Sequence, residues 1–544
     1  MIHKFLILLA FFCGLICQEL YGQNQKKDSL LSRFYLKISA GYGIGINGEY
    51  LRNANNGNVT NTISKLGNGL YYNASVDYQY NKNIGVELGI GYENGLINNE
   101  LPHDTGYYSA LKSGNMWQIT PSIVFSTTVG RFAPYIRTGM IIGSPEVFME
   151  TVNNRPFGPN QPNLDDSKLK LYGGLATGFQ AALGCNILLK NHKWIVFAEA
   201  SFNDIGFLPE KGSVYSQTLN GVDQLPKLSV SEKEEIFTKS YSYNAHTPSQ
   251  PTTLPENKLP FGGLAFNLGL KMNIRNFPKP YREDYFVQHF FVRVNLGYGF
   301  AANGDVNYSV SDNSYKAINV SYGNGINEGF GLAFMFNECI GFDLGLNYVA
   351  SSTIKAVAGG TLTQNIYQTG NQTSEYGNMI QVNPSFVIAT HIHKLLPYAR
   401  LGMLIGSGNV YYAYEDNHAL LNGGYFDRQS ILKFYGGTSL GYSAVLGSAY
   451  WINYTYDLFA EACFNSIYDI PEKAQMIKDN YNGTSNLGNE TTNEKNTIFK
   501  SSYNTNSASD QNSPTVSSPI KFSFDAVVFR IGVRMWLRKH HKSG

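Results

Sequence analysis

The sequence predicts an all-β fold: a transmembrane antiparallel up-and-down β-barrel, built as two tandem eight-stranded barrels. Three observations carry this. The chain is written twice, each copy alternates apolar and polar residues with period two, and short turns alternate with long polar loops. Residues 81–92 (NKNIGVELGIGY) return as 337–348 (NECIGFDLGLNY), 114–128 as 377–391, 133–144 as 396–407 and 197–211 as 459–473. The offset is 256 residues at the first match and 262 or 263 at the others, so the 544 residues divide into two like units rather than several unrelated domains.

The first unit shows eight segments in which successive side chains belong to opposite faces, the period of a strand. Phe34–Ile44 sets Leu36, Ile38, Ala40, Tyr42 and Ile44 against Tyr35, Lys37, Ser39, Gly41 and Gly43. Residues 70–80 and 84–92 repeat the pattern, and further strands are expected near 116–127, 132–143, 169–185, 194–203 and 263–275. Connections after the second, fourth and sixth strands are about three, four and eight residues long; the others, rich in Asn, Ser, Gly and Thr, are about 25, 23, 25 and 59. A soluble barrel has no reason to place every long loop at one end. A barrel with tight periplasmic turns and long extracellular loops does so as a rule.

The remaining features agree. Residues 5–17 form a 13-residue apolar run after His3 and Lys4. That is too short to span about 30 Å of hydrocarbon and reads as a secretory signal peptide over residues 1–22. Charged residues are 15 % of the chain, against about 25 % in ordinary soluble domains. The net charge of +2 comes with no basic block, which argues against nucleic acid as a partner. Cys185, Cys339 and Cys463 have no counterparts between units, so no disulfide frame, metal site or cofactor is expected.

With its alternating strands, aromatic strand ends and signal-like start, the chain resembles outer-membrane β-barrel proteins of Gram-negative envelopes. The likeness is to the small OmpA/OmpX-like type, present as a tandem duplication over about 240 residues twice. The resemblance implies a place in the cell outer membrane, contact with outer-membrane lipid and insertion by the barrel-assembly machinery. It fails at the C-terminus, where residues 538–544 follow Trp536 and Leu537 and the family closes on an aromatic residue. The units are assigned as 34–277 and 290–538, joined by a periplasmic linker at 278–289 stiffened by Pro278 and Pro280.

Sixteen strands also permit one wide 16-stranded barrel, a passive porin with an anion-preferring channel. The polar face favours two narrow barrels, because its glycines (Gly41, Gly89, Gly91, Gly139, Gly297, Gly345) suit an interior filled by side chains. Charges on that face recur with sign kept: Lys37 and Arg293, Glu87 and Asp343, Arg137 and Arg400, Glu199 and Glu461, Lys271 and Arg534. They read as a salt-bridged plug rather than an ion path, since confined charges must be paired. Arg530, Arg534 and Arg538 have no acidic partner on the same face of their strand, which is what would make a wide channel prefer anions. The units, joined by a linker alone, would come apart when it is cut.

No nucleophile, base and orienting group converge anywhere, and the His391–His393 pair lacks a third ligand. The expected function is therefore non-enzymatic: long extracellular loops displayed for binding or adhesion to an unknown extracellular ligand.

Overall fold

The computed structural model describes residues 34–45, 49–55, 58–64, 66–103, 106–154, 164–189, 193–242, 247–273, 289–311, 314–358, 366–392, 394–420, 425–453, 455–504 and 510–537. The signal segment, most of the linker and the C-terminal tail lie outside the described residues.

The first barrel is made of β1 (Phe34–Ile44), β2 (Gly69–Gln79), β3 (Ile84–His103), β4 (Gly106–Ser126), β5 (Phe132–Asn154), β6 (Ala176–Leu188), β7 (Trp194–Phe207) and β8 (Leu264–Asn273). Each pairs antiparallel with the next, and β8 closes on β1, with Lys37 opposite Lys271. The second consists of β9 (His289–Ala301), β10 (Gly325–Met335), β11 (Ile340–Ser351), β12 (Ile366–Ala389), β13 (Leu395–Leu420), β14 (Ser439–Trp451), β15 (Tyr456–Asp469) and β16 (Ala526–Leu537). It closes between β16 and β9, with Arg293 opposite Arg534. Two closed eight-stranded barrels therefore form, and the single 16-stranded alternative does not.

Closure leaves no free edge in the membrane, where an unpaired backbone group is costly. The alternation read from sequence becomes a polarity inverted relative to a soluble protein. Outward Ile38, Leu88, Trp117, Leu268, Leu296 and Ile531 are exposed, up to 70 % for Ile531, while inward Lys37, Glu87, Arg137, Asp343 and Arg400 are buried. Among the described residues no helix is long and apolar enough to cross a membrane; the crossing elements are the strands.

Two sequence expectations need correction. The connection between the third and fourth strands is no loop: β3 and β4 stay in register from the turn at Ile84 up to His103 opposite Gly106, a hairpin rising above the barrel. The single strand expected at 169–185 is broken. Gly173 and Gly174 (φ +76° and +74°) turn the chain sharply, so that Leu164–Tyr172 and β6 both pair with β5 at different heights. Gly436 and Gly437 (φ +82° and +83°) do the same in the second unit; positive φ is where glycine carries no Cβ penalty.

The barrels pack side by side. Outward Phe125, Ile136 and Ala181 meet Ile388, Ala399, Leu401 and Ala444 in one buried cluster, and small residues there let the two walls approach closely.

Candidate functional site

Inside the first barrel, β1, β3, β5 and β7 aim four charges at one point. Lys37 Nζ lies 3.3 Å from Glu87 Oε2 and 3.4 Å from Glu199 Oε2. Arg137 places Nη2 2.5 Å from Glu199 Oε1 and Nε 3.7 Å from Glu87 Oε1. The Tyr135 hydroxyl donates to Glu199 at 2.9 Å, and Arg137 also donates to the Gln180 side-chain carbonyl. The second barrel repeats the cluster with other side chains. Arg293 grips Asp343 with two bonds of 2.8 Å. Arg400 spans Asp343 at 3.0 Å and Glu461 at 2.6 Å, and Tyr398 donates to Glu461 at 2.6 Å. Such charge-assisted, multiply bonded pairs are what a confined interior requires.

The last pair of predicted charges is held differently from the expectation. Lys271 does not join Glu87 and Glu199; it pairs with Asp77 on the neighbouring wall at 2.5 Å. Arg534, with no acid on the same face of its own strand, pairs with Asp457 of β15 at 2.7 Å, and the Trp536 indole donates to the same carboxylate at 2.6 Å. Arg530 donates to the Asn327 side-chain amide oxygen at 2.9 Å rather than to an acid. Asp77 and Asp457 stand outside the repeated charge set, since Ala333 and Ile195 occupy their counterparts. Their place on the alternating inward face was the available signal. The acids also resolve a closure problem, since like charges directly opposite on paired strands repel, and Lys37 faces Lys271 as Arg293 faces Arg534.

The glycine-lined face is the complement of this packing. A side chain at Gly184 would collide with the Tyr135 ring, and one at Gly447 with Tyr398; Gly269 and Gly532 likewise make room for Phe197 and Phe459. Each lumen ends in an apolar layer. Toward the loops, Leu66, Met116, Ile141, Ile205, Phe207 and Phe261 seal the first barrel, and Tyr322, Val349, Met379, Leu404, Ile467 and Phe524 the second. At the opposite end of the second barrel lie Phe291, Met335, Leu396, Phe459 and Trp536. The interiors are filled by side chains.

Above the barrels the long connections fold into two matching crowns. In the first, Leu164–Tyr172 pairs with Lys211–Leu219, that strand with Glu234–Thr238, and this one in parallel with Thr252–Pro255. In the second, Tyr425–Tyr435, Lys473–Tyr481, Asn496–Phe499 and Thr515–Ser517 repeat the order, including the parallel pair. One-turn helices, Val230–Lys233 and Thr492–Lys495, open on matching contacts. Ser229 N donates to Glu232 at 2.8 Å and Thr491 N to Glu494 at 2.7 Å. The repeat here reads EKxxIF (232–237 and 494–499), a signal the sequence carried.

Among the described residues no three of His, Cys, Asp and Glu group to hold a metal ion. His391 is exposed in a short turn, and His393 lies outside the described residues.

Closed barrels, an outward apolar belt and filled lumens define an outer-membrane β-barrel protein. No protein-family model and no curated protein matches the sequence. Among solved structures the chain is similar to the Pseudomonas putida toluene transporter TodX (9 % identity, 93 % of this chain and 90 % of that one, TM-score 0.16). It is also similar to a Pseudomonas aeruginosa FadL homologue (8 % identity, 92 % and 88 %, TM-score 0.18). The Ralstonia pickettii toluene transporter TbuX matches alike (8 % identity, 93 % and 89 %, TM-score 0.17). Backbones that superpose this poorly carry no argument about cargo.

Proposed function

We propose that this is a non-enzymatic outer-membrane protein of the small eight-stranded OmpA/OmpX-like type, doubled, whose barrels hold a folded extracellular platform for binding or adhesion. One observation carries the reading: the chain builds the same crown twice, strand for strand, on barrels whose interiors are occupied by ion pairs and rings. A channel would keep its lumen clear. The lumen carboxylates Glu87, Glu199, Asp343 and Glu461 are each engaged by Lys or Arg, which supports a structural rather than a catalytic role for that cluster. The partners are outer-membrane lipid, the barrel-assembly machinery during insertion, and an extracellular ligand met by the crowns.

The test compares cells displaying the full chain with cells displaying a variant whose residues 213–256 and 475–517 are replaced by short Gly-Ser segments. The variant should still insert as a heat-resistant barrel and lose attachment to surfaces and neighbouring cells. Purified full-length protein should give no steady conductance in planar bilayers. Large steady steps together with unchanged attachment would overturn the proposal in favour of a porin.

A further inference from the structure

The two crowns carry different charge on the same lattice. Above the belt of the first unit, one outward row crosses five strands as Ser113, Phe148, Lys170, Ser213 and Glu234. In the second unit the same row reads Tyr376, Tyr411, Lys433, Gln475 and Asn496. The first face is balanced: Lys170 pairs with Glu146 at 2.8 Å, Lys168 with Glu150 at 2.9 Å, and Glu234 stands one row from Lys211. In the second unit Asn409, Ala413 and Asn496 replace all three acids, while Lys433 and Lys473 keep the places of Lys170 and Lys211. Lys168 becomes Ile431, but Lys478 enters the same row opposite it. Three lysines against three acids thus become three lysines against none. Glu415, the next outward acid on these strands, lies one row higher, opposite Gln429. Glu472, like Glu210 in the first unit, lies on the turn beside Gly436 and Gly437.

The second face also gains rings. Tyr376 and Tyr411 stack with centroids 4.9 Å apart and planes 11° from parallel, and Tyr376 takes the place of Ser113. Lys433 Nζ lies 5.8 Å from the centre of the Tyr411 ring and 5.2 Å from that of Tyr435. One and two outward rows beneath, Ile380, Val382, Ile405 and Leu440 are exposed. Cations and a flat aromatic shelf therefore stand directly above a lipid-facing wall, at the level where an aromatic girdle meets water.

We propose that this face of the second crown holds a glycolipid of the outer leaflet by its phosphorylated sugar headgroup. The phosphate lies between Lys433 and Lys473, diagonal neighbours on paired strands. A sugar ring covers the shelf of Tyr376 and Tyr411, and the acyl chains run down past Ile380 and Ile405. The missing acids select an anion, the rings a sugar, and the wall beneath a lipid rather than a free phosphosugar. The proposal rests on the crowns lying outside the cell, but binding in detergent does not depend on orientation, so the two can fail separately.

The test is native mass spectrometry of the full chain released from detergent with an acylated, bis-phosphorylated glucosamine disaccharide or the same glycolipid stripped of its phosphates. Two lysines near a membrane surface predict about tenfold or greater preference for the phosphorylated form. The preference should vanish in the double variant Lys433→Gln with Lys473→Gln, and in Asn409→Glu, which restores the acid of the first unit. It should persist in Lys170→Gln, the matching change in the first crown. All variants alter exposed or half-exposed side chains and should keep the heat-resistant gel migration of the parent. Equal retention of the two glycolipids by the parent, an unchanged preference in the double variant, or an equal loss in Lys170→Gln would each overturn the assignment. Displacement of the glycolipid by an equal concentration of the phosphorylated disaccharide without acyl chains would overturn it too.

Discussion

The ring of Phe179 on β6 stacks on Phe464 of β15, centroids 4.1 Å apart and planes 25° from parallel. Phe179 corresponds to Tyr442 in the second unit, and Phe464 to Phe202 in the first. Phe202 and Tyr442 stack as well, at 5.0 Å. Each unit thus offers the same two rings to the other, the self-complementary pattern of a two-fold interface. The crowns repeat it. Ser240–Ser242 of the first unit pairs with residues 314–316 of the second, and Ser502–Asn504 of the second with residues 58–60 of the first. Thr390 adds a hydrogen bond to Asn83 at 3.1 Å, and Asn303 one to the Asp204 carbonyl at 2.9 Å.

The first prediction revises the idea that the halves come apart when the linker is cut. A protease site placed in residues 274–288 should yield two fragments that still co-purify in mild detergent. Ala399→Glu would put an unpaired carboxylate into the shared apolar cluster, and should release them. Fragments that separate after cleavage of the parent would show the interface to be too weak to matter.

The second prediction concerns the buried charges. Glu199→Ala leaves Arg137, only 5 % exposed, without its closest acid and removes one of two acids from Lys37. Breaking one side of such a pair costs about 3–5 kcal/mol. The loss should appear as a lower temperature for the shift from folded to unfolded migration on gels. Glu461→Ala should do the same in the second barrel, where Arg400 and Tyr398 lose their acceptor. Unchanged transitions in both would mean that water, not protein, satisfies these cations.

A third prediction separates glycine as space from glycine as flexibility. Gly184 and Gly447 lie in regular strands under Tyr135 and Tyr398. Gly184→Val must push the Tyr135 ring away and break its bond to Glu199; overpacking of this kind costs about 1–3 kcal/mol. The double change Gly184→Val with Tyr135→Ala should recover part of the loss by making room. If the second change adds its full cost to the first, the ring is not what the glycine accommodates.

Much of this was legible in the sequence. The barrel strands followed from period two, because a barrel wall with lipid outside and a packed lumen inside forces alternation at every step. The four-charge clusters followed too, since Lys37, Glu87, Arg137 and Glu199 share that inward face. What escaped was whatever the repeat did not duplicate or the alternation did not mark. Asp77 and Asp457 pair across walls from unmatched positions. The β3–β4 hairpin continues above the membrane in residues whose composition reads as loop, because hydrogen bonding between strands does not depend on apolar side chains. The inter-barrel contact was hidden because Phe179, Ala181 and Phe464 look like any lipid-facing residue.

The first crown should respond to acid through two carboxylates of opposite behaviour. Hydrogen bonds from the Ser229 hydroxyl and backbone lower the pKa of Glu232, whereas burial raises that of Glu235. A depressed pKa stabilises above the usual carboxylate value of about 4.3 and loses that contribution as pH falls through the folded value. A raised one stabilises below it, and the contribution is lost as pH rises through the folded value. Glu232→Gln should therefore weaken hydrogen-exchange protection around Val230–Lys233 at pH 7 but not at pH 3, and Glu235→Gln should strengthen its strand at pH 7. Identical pH profiles for parent and variants would show that neither carboxylate is linked to crown folding.

The last prediction fixes orientation. The short turns at residues 80–83 and 127–131 and the crown strand Lys211–Leu219 belong to opposite ends of the first barrel. Export through the periplasm puts the crowns outside, because long loops cross the outer membrane while tight turns stay behind. In intact cells a thiol reagent too large and polar to cross the outer membrane should label Ser216→Cys, which lies on that crown strand. It should label Arg131→Cys, exposed in a short turn, only after the membrane is permeabilised. The native cysteines offer little background, since Cys339 and Cys463 are buried and Cys185 is half-buried on the lipid-facing wall. Labelling of position 131 in intact cells with none at 216 would invert the topology and remove the basis for an extracellular platform.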